Sequence, residues 1–239
     1  MSRIKAALMH LLISIFVFSI FLSFVYFIWY HYPFNVTEGV GDIVYLMAGI
    51  DIVLGPLLTL IVFKAGKKGL KFDLSLIALV QVGALIYGGH VIYSERPAWL
   101  VFAKDRFEVV GLVEIDVSKI QDKNLLVGIF DRPKKVYAEL PTGEKATDIA
   151  LQALSGGVDI DRIPELYREY ESHIAEVVAA GKDFSSHVDL RKENENDWKG
   201  LKWLPMEGKQ KNIIAIIDVN SKTISGYKLL DPWRLVSVQ

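Results

Sequence analysis

Residues 42–63 read DIVYLMAGIDIVLGPLLTLIVF, a run long enough to cross a bilayer that nevertheless carries an acid, Asp51, near its middle. Thirteen of these residues are Leu, Ile, Val or Phe. Each favours insertion by roughly 0.3–0.6 kcal/mol at a helix centre, whereas one Asp opposes it by roughly 2.5–3.5 kcal/mol. Insertion therefore survives the acid. A carboxyl at that depth turns toward another helix, a polar side chain or water rather than toward lipid. Four residues on, Gly55-Pro56 interrupts the same helix. Pro56 has no amide proton to donate and its ring crowds the carbonyl of Ile52, which predicts a kink one turn from the acid.

Two further apolar runs, 6–30 and 72–93, reach the length of a spanning helix, and nothing after Arg96 does. The chain thus divides into a membrane region, 1–96, with three transmembrane helices (about 6–30, 42–63 and 72–93), and a second domain, 97–239. A hydrophobic content of 51% agrees with that class, and a formal net charge of −1 shows no global bias toward nucleic acid. The absence of cysteine removes disulfides, thiolate metal sites and cysteine nucleophiles. Arg3 and Lys5 before the first run resemble a secretory signal. However, 6–30 is too long for its apolar core and no small-residue cleavage site follows, so it reads as an uncleaved anchor.

Basic residues set the orientation. Arg3 and Lys5 precede the first span, and Lys64, Lys67, Lys68 and Lys71 fill the loop between the second and third, whereas the 31–41 loop has none. The positive-inside rule places the N-terminus and the 64–71 loop in the cytoplasm, and the 31–41 loop and residues 97–239 on the opposite side. Trp29, Tyr30, Tyr32, Tyr93 and Trp99 fit an aromatic belt at that outer boundary.

At a rise of about 1.5 Å per residue, antiparallel packing of the second and third spans brings Gln81 and Tyr87 to the depth of Asp51, and either can hydrogen-bond it. Ala84 with Gly88, and Ser19 with Ser23, are small-residue pairs that permit close helix approach. Three readings of Asp51 stay open: a tie between the protein's own helices, a contact to a partner helix, or proton or ion movement. Gly39-Val40-Gly41-Asp42 spells the GxGD sequence of intramembrane aspartyl proteases. Those enzymes need two aspartates facing each other. Asp42 and Asp51 share one helix, nine residues and about 900° apart, and so point to opposite faces.

Beyond Arg96 the pattern changes to short alternating runs. Trp99–Ala103 and Arg106–Ile115 predict strands joined by a Lys104-Asp105 turn, and Leu125–Phe130 and Lys134–Leu140 are weaker strand candidates. Glu144–Leu154 predicts a short helix. Arg162–Ala180 predicts a longer one with Asp161 as cap, Pro164 in its first turn and Gly181 as stop. Residues 182–212 read as a polar, loop-rich stretch in which Trp198 and Trp203 either form a contact surface or anchor the loop on the core. Ile213–Asp218 and Thr223–Leu230 predict a closing hairpin. The fold class is therefore α+β, with a three-helix transmembrane N-terminal region.

The chain carries no HExxH, no G-x-S-x-G and no phosphate loop, and His173 and His187 lack metal-ligand spacing. No catalytic residue, cofactor or metal site is expected, and Asp159-x-Asp161 reads as helix-start chemistry. From Glu95 onward, 21 Lys and Arg face 24 Asp and Glu, a solvated mixed surface and no nucleic-acid footprint.

The DIVLGPLLT run from Asp51 to Thr59, the Phe72-Asp73 entry to a third span containing Gln81, Arg96-Pro97 with Leu100-Val101-Phe102, and the closing Asp231-Pro232-Trp233 together resemble the type IV pilin accessory proteins of the TfpX/TfpZ group. The DIVLGPLLT run carries most of the resemblance. It implies a non-enzymatic inner-membrane protein with a periplasmic α+β domain, which assists pilin stability, pilus assembly or the balance of extension and retraction. The implied partners are the major type IV pilin, through its transmembrane helix and its periplasmic head, inner-membrane lipids and other pilus assembly components. On that reading Asp51, Gly55, Pro56, Gln81 and Tyr87 are candidate intramembrane contacts, and Trp198 and Trp203 are candidate periplasmic contacts. The rival is a membrane-anchored periplasmic sensor or ligand-binding module. With cytoplasmic segments of only 1–5 and 64–71, such a module would have to signal laterally to partners.

Overall fold

Among the described residues of the computed structural model, three helices are long and apolar enough to cross a membrane: α1 (Arg3–Trp29), α3 (Gly41–Val62) and α4 (Leu70–Ser94). A four-residue helix, α2 (Phe34–Thr37), lies between the first two. The structure describes residues 2–143, 147, 149, 151, 157–190 and 198–235. They fall into two units, Met1–His31 with Val40–Glu95, and Tyr32–Gly39 with Arg96–Gln239.

In the first unit each helix buries one stripe. On α3 the stripe is Val44, Met47, Asp51, Gly55 and Thr59, a three-or-four spacing that keeps one face inward. On α1 it runs through Ala6, Ser14, Phe18 and Val25, and on α4 through Ile77, Gly88 and Ile92. Gly88 lets α4 approach Met47 closely, and a β-carbon there would collide with that side chain. Ser19 and Ser23 lie on the exposed side of α1, so that small-residue pair does not mediate packing. The irregularity expected at Pro56 lies just before it. Residues Gly49–Leu54 form π-helical turns, and the Gly55 amide donates to the Ile50 carbonyl. A wider turn moves the Ile52 carbonyl away from the proline ring, which an α-helical turn would place in its path.

The second unit is a mixed seven-stranded sheet in the order β4-β3-β1-β2-β5-β6-β7. The strands are β1 (Pro97–Ala103), β2 (Arg106–Gly111), β3 (Lys134–Ala138), β4 (Tyr167–Glu169), β5 (Leu201–Glu207), β6 (Ile213–Asp218) and β7 (Thr223–Lys228). Every residue of β1 is buried, because the strand is covered on both faces. Leu100 and Phe102 join Phe107, Leu204, Met206 and Ile213 on one face, whereas Trp99, Val101 and Ala103 join Val136, Leu166 and Tyr167 on the other. A third cluster, Phe184, Leu190, Trp203, Ile214 and Ile216, sits beneath β5 and β6.

Four expectations for this unit need correction or restriction. The hairpin of β1 and β2 forms with Lys104-Asp105 at its turn, Lys104 taking a left-handed φ of 60°. Leu125–Phe130 is not a strand. Lys123–Leu125 is a 3-10 turn, and the carbonyls beyond it go to side chains, Leu126 to Lys134 and Gly128 to Arg96. The long helix over 162–180 shrinks to α5 (Ile174–Ala180), since Tyr167–Glu169 pairs with β3 as an edge strand. That pairing buries Tyr167 and Leu166, which outweighs the helical pattern of the surrounding residues. Asp161 caps no helix; Asp159 accepts from the Ile160 amide instead, and Asp161 pairs with Arg162. Residues 182–212 contain a strand, β5, in which Pro205 lies opposite Ile214. Proline is tolerated there because the parallel ladder to β2 involves only Met206 and Glu207, so the missing amide faces no partner strand. The helix expected over 144–154 lies largely outside the described residues.

Segment Tyr32–Gly39 belongs to the sheet unit although it precedes α3 in the chain. Phe34 is buried with the β2, β5 and β6 side chains, and the Thr37 carbonyl accepts from the Gln210 and Lys211 amides at 2.8 and 3.3 Å. The chain therefore enters this unit twice, once between α1 and α3 and again at Arg96.

Candidate functional site

The inward stripes of the three apolar helices bring four polar side chains together. His10 Nε2 lies 2.6 Å from Gln81 Oε1, His10 Nδ1 lies 2.6 Å from Thr59 Oγ1, and Gln81 Nε2 donates to the Asp51 carbonyl at 3.1 Å. An amide oxygen only accepts, so Nε2 carries the imidazole proton, and in the neutral ring Nδ1 accepts from the Thr59 hydroxyl. The Asp51 carboxyl is buried and faces the Gln81 amide and the His10 ring. One network thus joins α1 through His10, α3 through Asp51 and Thr59, and α4 through Gln81. Gly55 makes room for it, because a β-carbon at that position would occupy the space of the Gln81 amide.

Gln81 reaches Asp51, as its depth allows, whereas Tyr87 does not. Six residues beyond Gln81, about 240° around α4, Tyr87 points outward with 72% of its surface exposed. Asp42 is exposed and Asp51 buried, so the two acids stay apart as the helix geometry requires. His10 and Thr59 are the members that sequence reasoning missed. The signal was present in α1, where His10 falls four residues from both Ala6 and Ser14 on the small-residue stripe.

Replacing Gln81 by Leu is expected to break both of its bonds, so that His10 Nε2 and the Asp51 carbonyl lose their Gln81 partner while Thr59 still holds His10 Nδ1. The cost is about 1–2 kcal/mol of helix association. The measurement is SDS titration of the protein in mild micelles followed by Trp29 fluorescence. An unchanged midpoint would mean that apolar packing alone holds the three helices.

Beside this network, Leu54, Gly55 and Leu58 of α3 and Leu76, Val80 and Gln81 of α4 line an apolar groove of about 190 Å³. Gln81 forms part of its wall, so the network fixes the separation of the two helices that make it.

In the sheet unit, the tryptophans do not form an open contact surface. Trp203 is fully buried, its indole N–H donating to the Asp183 carbonyl at 2.9 Å. Trp198 stacks on Phe184 at 4.2 Å, with Lys228 4.2 Å above its ring. Trp203 thus ties Asp183 to β5, and Trp198 packs between Phe184 and Lys228 of β7. His187, also buried, accepts the Asp189 and Leu190 amides at Nδ1 and donates from Nε2 to the Asp231 carbonyl at 2.8 Å, which fastens the closing Asp231-Pro232-Trp233.

A charged cleft of about 330 Å³ opens where β2 meets β5, lined by Arg106, Glu108, Asp161, Arg162, Glu207 and Lys209 among others. Glu108 and Glu207 are register partners in the parallel ladder. Arg106 holds Glu207 at 2.8 Å, Arg162 bonds Asp161, and Glu114 accepts from Arg162 at 3.0 Å and from Lys209 at 2.9 Å. Burial, then the hydrogen bond to Glu207 and the Asp161 charge, push Glu108 up to about 8. Nearby Glu38 is pushed up to about 7 by burial, which outweighs the opposing pull of Thr37 and Lys209. No group of three metal-ligating side chains occurs among the described residues.

The fold and its polar seam define a membrane-associated α+β protein: three apolar helices held by an internal hydrogen-bond network, joined to a mixed-sheet unit. The model of the family described as fimbrial assembly protein FimB matches residues 1–39. A fimbrial assembly protein of serogroups C1 and C2 of Dichelobacter nodosus is 34% identical over 118 residues, covering 48% of this chain and 90% of the relative. Those of serogroups I and E1 are 28% and 27% identical over 201 residues, in each case covering 82% of this chain and 78% of the relative. No solved structure matches the chain. The chain belongs to the fimbrial assembly protein family.

Proposed function

We propose that this protein is a non-catalytic accessory of type IV pilin of the TfpX/TfpZ kind, and that its three helices hold the pilin's transmembrane helix in the inner membrane before the pilus is built. The groove between α3 and α4 carries the reading. It is apolar, it lies on helices long enough to span a bilayer, and Gly55 and Gln81 set its width. A guest helix gains close packing there, and such packing drives helix association in lipid. Asp51 serves the groove from behind, by tying α3 to α4, and offers its carboxyl inward to Gln81 and His10 rather than to the guest. The N-terminus is cytoplasmic and the sheet unit periplasmic, in keeping with the six basic residues before Arg96, where the sheet unit meets the pilin head and the protein shifts the balance of extension and retraction.

Two manipulations test this. The chain has no cysteine, so Leu54→Cys and Leu58→Cys place unique thiols on the groove. Oxidative crosslinking in cells to a cysteine in the pilin helix is expected from both, and not from Leu12→Cys on the exposed side of α1. Leu54→Trp fills the groove while leaving Gly55 and the Gln81 amide in place, and is expected to reduce surface pili about tenfold, as a loss of about 1.4 kcal/mol in helix association would. Absence of adducts together with normal piliation in Leu54→Trp overturns the proposal.

A further inference from the structure

The charged cleft between β2 and β5 leaves one of its acids without an ion pair. Its three cations are all engaged: Arg106 by Glu207 at 2.8 Å and Asp105 at 3.2 Å, Arg162 by Asp161 and by Glu114 at 3.0 Å, and Lys209 by Glu114 at 2.9 Å. Asp159, also in the lining, takes Lys104 at 3.3 Å. Glu108 lines the same cleft, and among the described residues it forms no ion pair.

Strand register makes that position costly for a carboxylate. Glu108 and Glu207 are direct partners in the parallel ladder, so their backbones lie about 4.8 Å apart and both side chains leave the same face of the sheet. Like charges in that relation repel. Asp161, 3% exposed, adds a third acid from the 3-10 turn Ile160–Arg162, while the cation of that turn, Arg162, is already shared between Asp161 and Glu114. A proton relieves the repulsion: Glu108 stays neutral at pH 7, and its carboxyl O–H donates to Glu207. A larger cation would do the same, and the cleft of about 330 Å³ beside the two acids accommodates one. Its lining is mostly charged side chains, which suits the polar end of a single side chain better than an apolar ligand.

We propose that this cleft takes an arginine side chain of another protein, its guanidinium set between the Glu108 and Glu207 carboxylates. Charge complementarity selects that occupant. An anion would meet three cations already satisfied by acids, and an apolar group would bury charges without giving them a partner. Guanidinium is less strongly hydrated than ammonium and its planar fork presents N–H groups to two carboxylates at once, so it is the better cation for a partly buried site. Entry of the guanidinium ionises Glu108 and releases its proton to solvent, and the contact therefore tightens as pH rises. The site lies wholly within the sheet unit; it neither uses the helix groove nor depends on the pilin reading.

The test is calorimetric titration of the full chain in detergent micelles with acetyl-glycyl-arginyl-glycine amide, a peptide whose only charge is the guanidinium. Its glutamine counterpart and spermidine serve as references, and buffers of different ionisation enthalpy report proton release. At pH 7 the arginine peptide is expected to bind with release of about one proton, and its affinity to be about tenfold higher at pH 8.5 than at pH 6.5. Glu108→Gln, whose amide still donates to Glu207, is expected to bind it at least about tenfold more weakly, without proton release and without the pH dependence. Failure of the arginine peptide to bind overturns the proposal, as does equal affinity for the glutamine peptide or in Glu108→Gln. Binding without proton release by the unsubstituted chain also overturns it, and that readout does not require the variant to fold. Tighter binding of spermidine than of the arginine peptide marks a site for small amines and overturns the assignment to a protein side chain.

Discussion

Trp203→Ala is expected to destabilise the sheet unit by about 3–5 kcal/mol, the usual cost of truncating a fully buried aromatic side chain. Trp203 does more than fill space. Its indole donates to the Asp183 carbonyl, its ring meets His187 edge-on at 5.4 Å, and Lys182 lies 5.3 Å over its face. Its backbone exchanges hydrogen bonds with Lys182 at 2.8 and 2.9 Å. The segment 182–190 is therefore held to β5 largely through this one residue. Denaturant unfolding of the full chain in micelles should show the loss, and limited proteolysis should show cleavage within 182–190. Trp198→Ala should cost only about 1–2 kcal/mol, since that ring is partly exposed and stacks on one face. Equal losses at the two positions would mean that Trp203 is not the anchor.

The second large effect is a fall in stability with rising pH. In an unfolded chain Glu38 and Glu108 titrate near 4.5, whereas in the folded chain burial raises them to about 7 and about 8. Between those limits the folded state binds more protons than the unfolded one, so stability declines as pH increases. The contribution is fully present below about pH 4.5 and is lost as pH passes through 7 and 8. Arg106, Arg162 and Lys209 line the cleft around Glu108, and with solvent screening they limit the effect to about 2–3 kcal/mol for the two acids together. Thermal unfolding of the full chain, followed by intrinsic fluorescence, should therefore show a midpoint roughly 5–10 °C lower at pH 9 than at pH 5. Glu38→Gln with Glu108→Gln should flatten that slope. A midpoint that rises with pH would show that both carboxyls are charged in the folded protein.

Local pattern carried much of this architecture. The three apolar spans needed nothing beyond length and hydropathy, because in lipid each helix satisfies its own backbone. The β1–β2 and β6–β7 hairpins were legible because alternation and a two- to four-residue turn specify an antiparallel pair without reference to the rest of the chain. Where a distant partner decides, local pattern misleads. Tyr167–Glu169 sits inside a helical pattern yet pairs with β3, and Leu201–Glu207 contains a proline yet forms an inner strand. Both outcomes depend on which residues lie on the neighbouring strand, 29 or more positions away in the sequence.

The same division holds at the intramembrane site. Sequence alone determined that an acid and a proline interrupt the second span, that Gln81 lies at the depth of the acid, and that Asp42 and Asp51 form no catalytic pair. Depth follows from residue count, and facing follows from 100° per residue along one helix. Only the tertiary structure decided that His10 and Thr59 complete the network, that Tyr87 points outward, and that Trp203 is core rather than surface. Those assignments depend on the rotation of each element about its own axis relative to its neighbours, and that rotation is set by side chains far apart in the chain packing together.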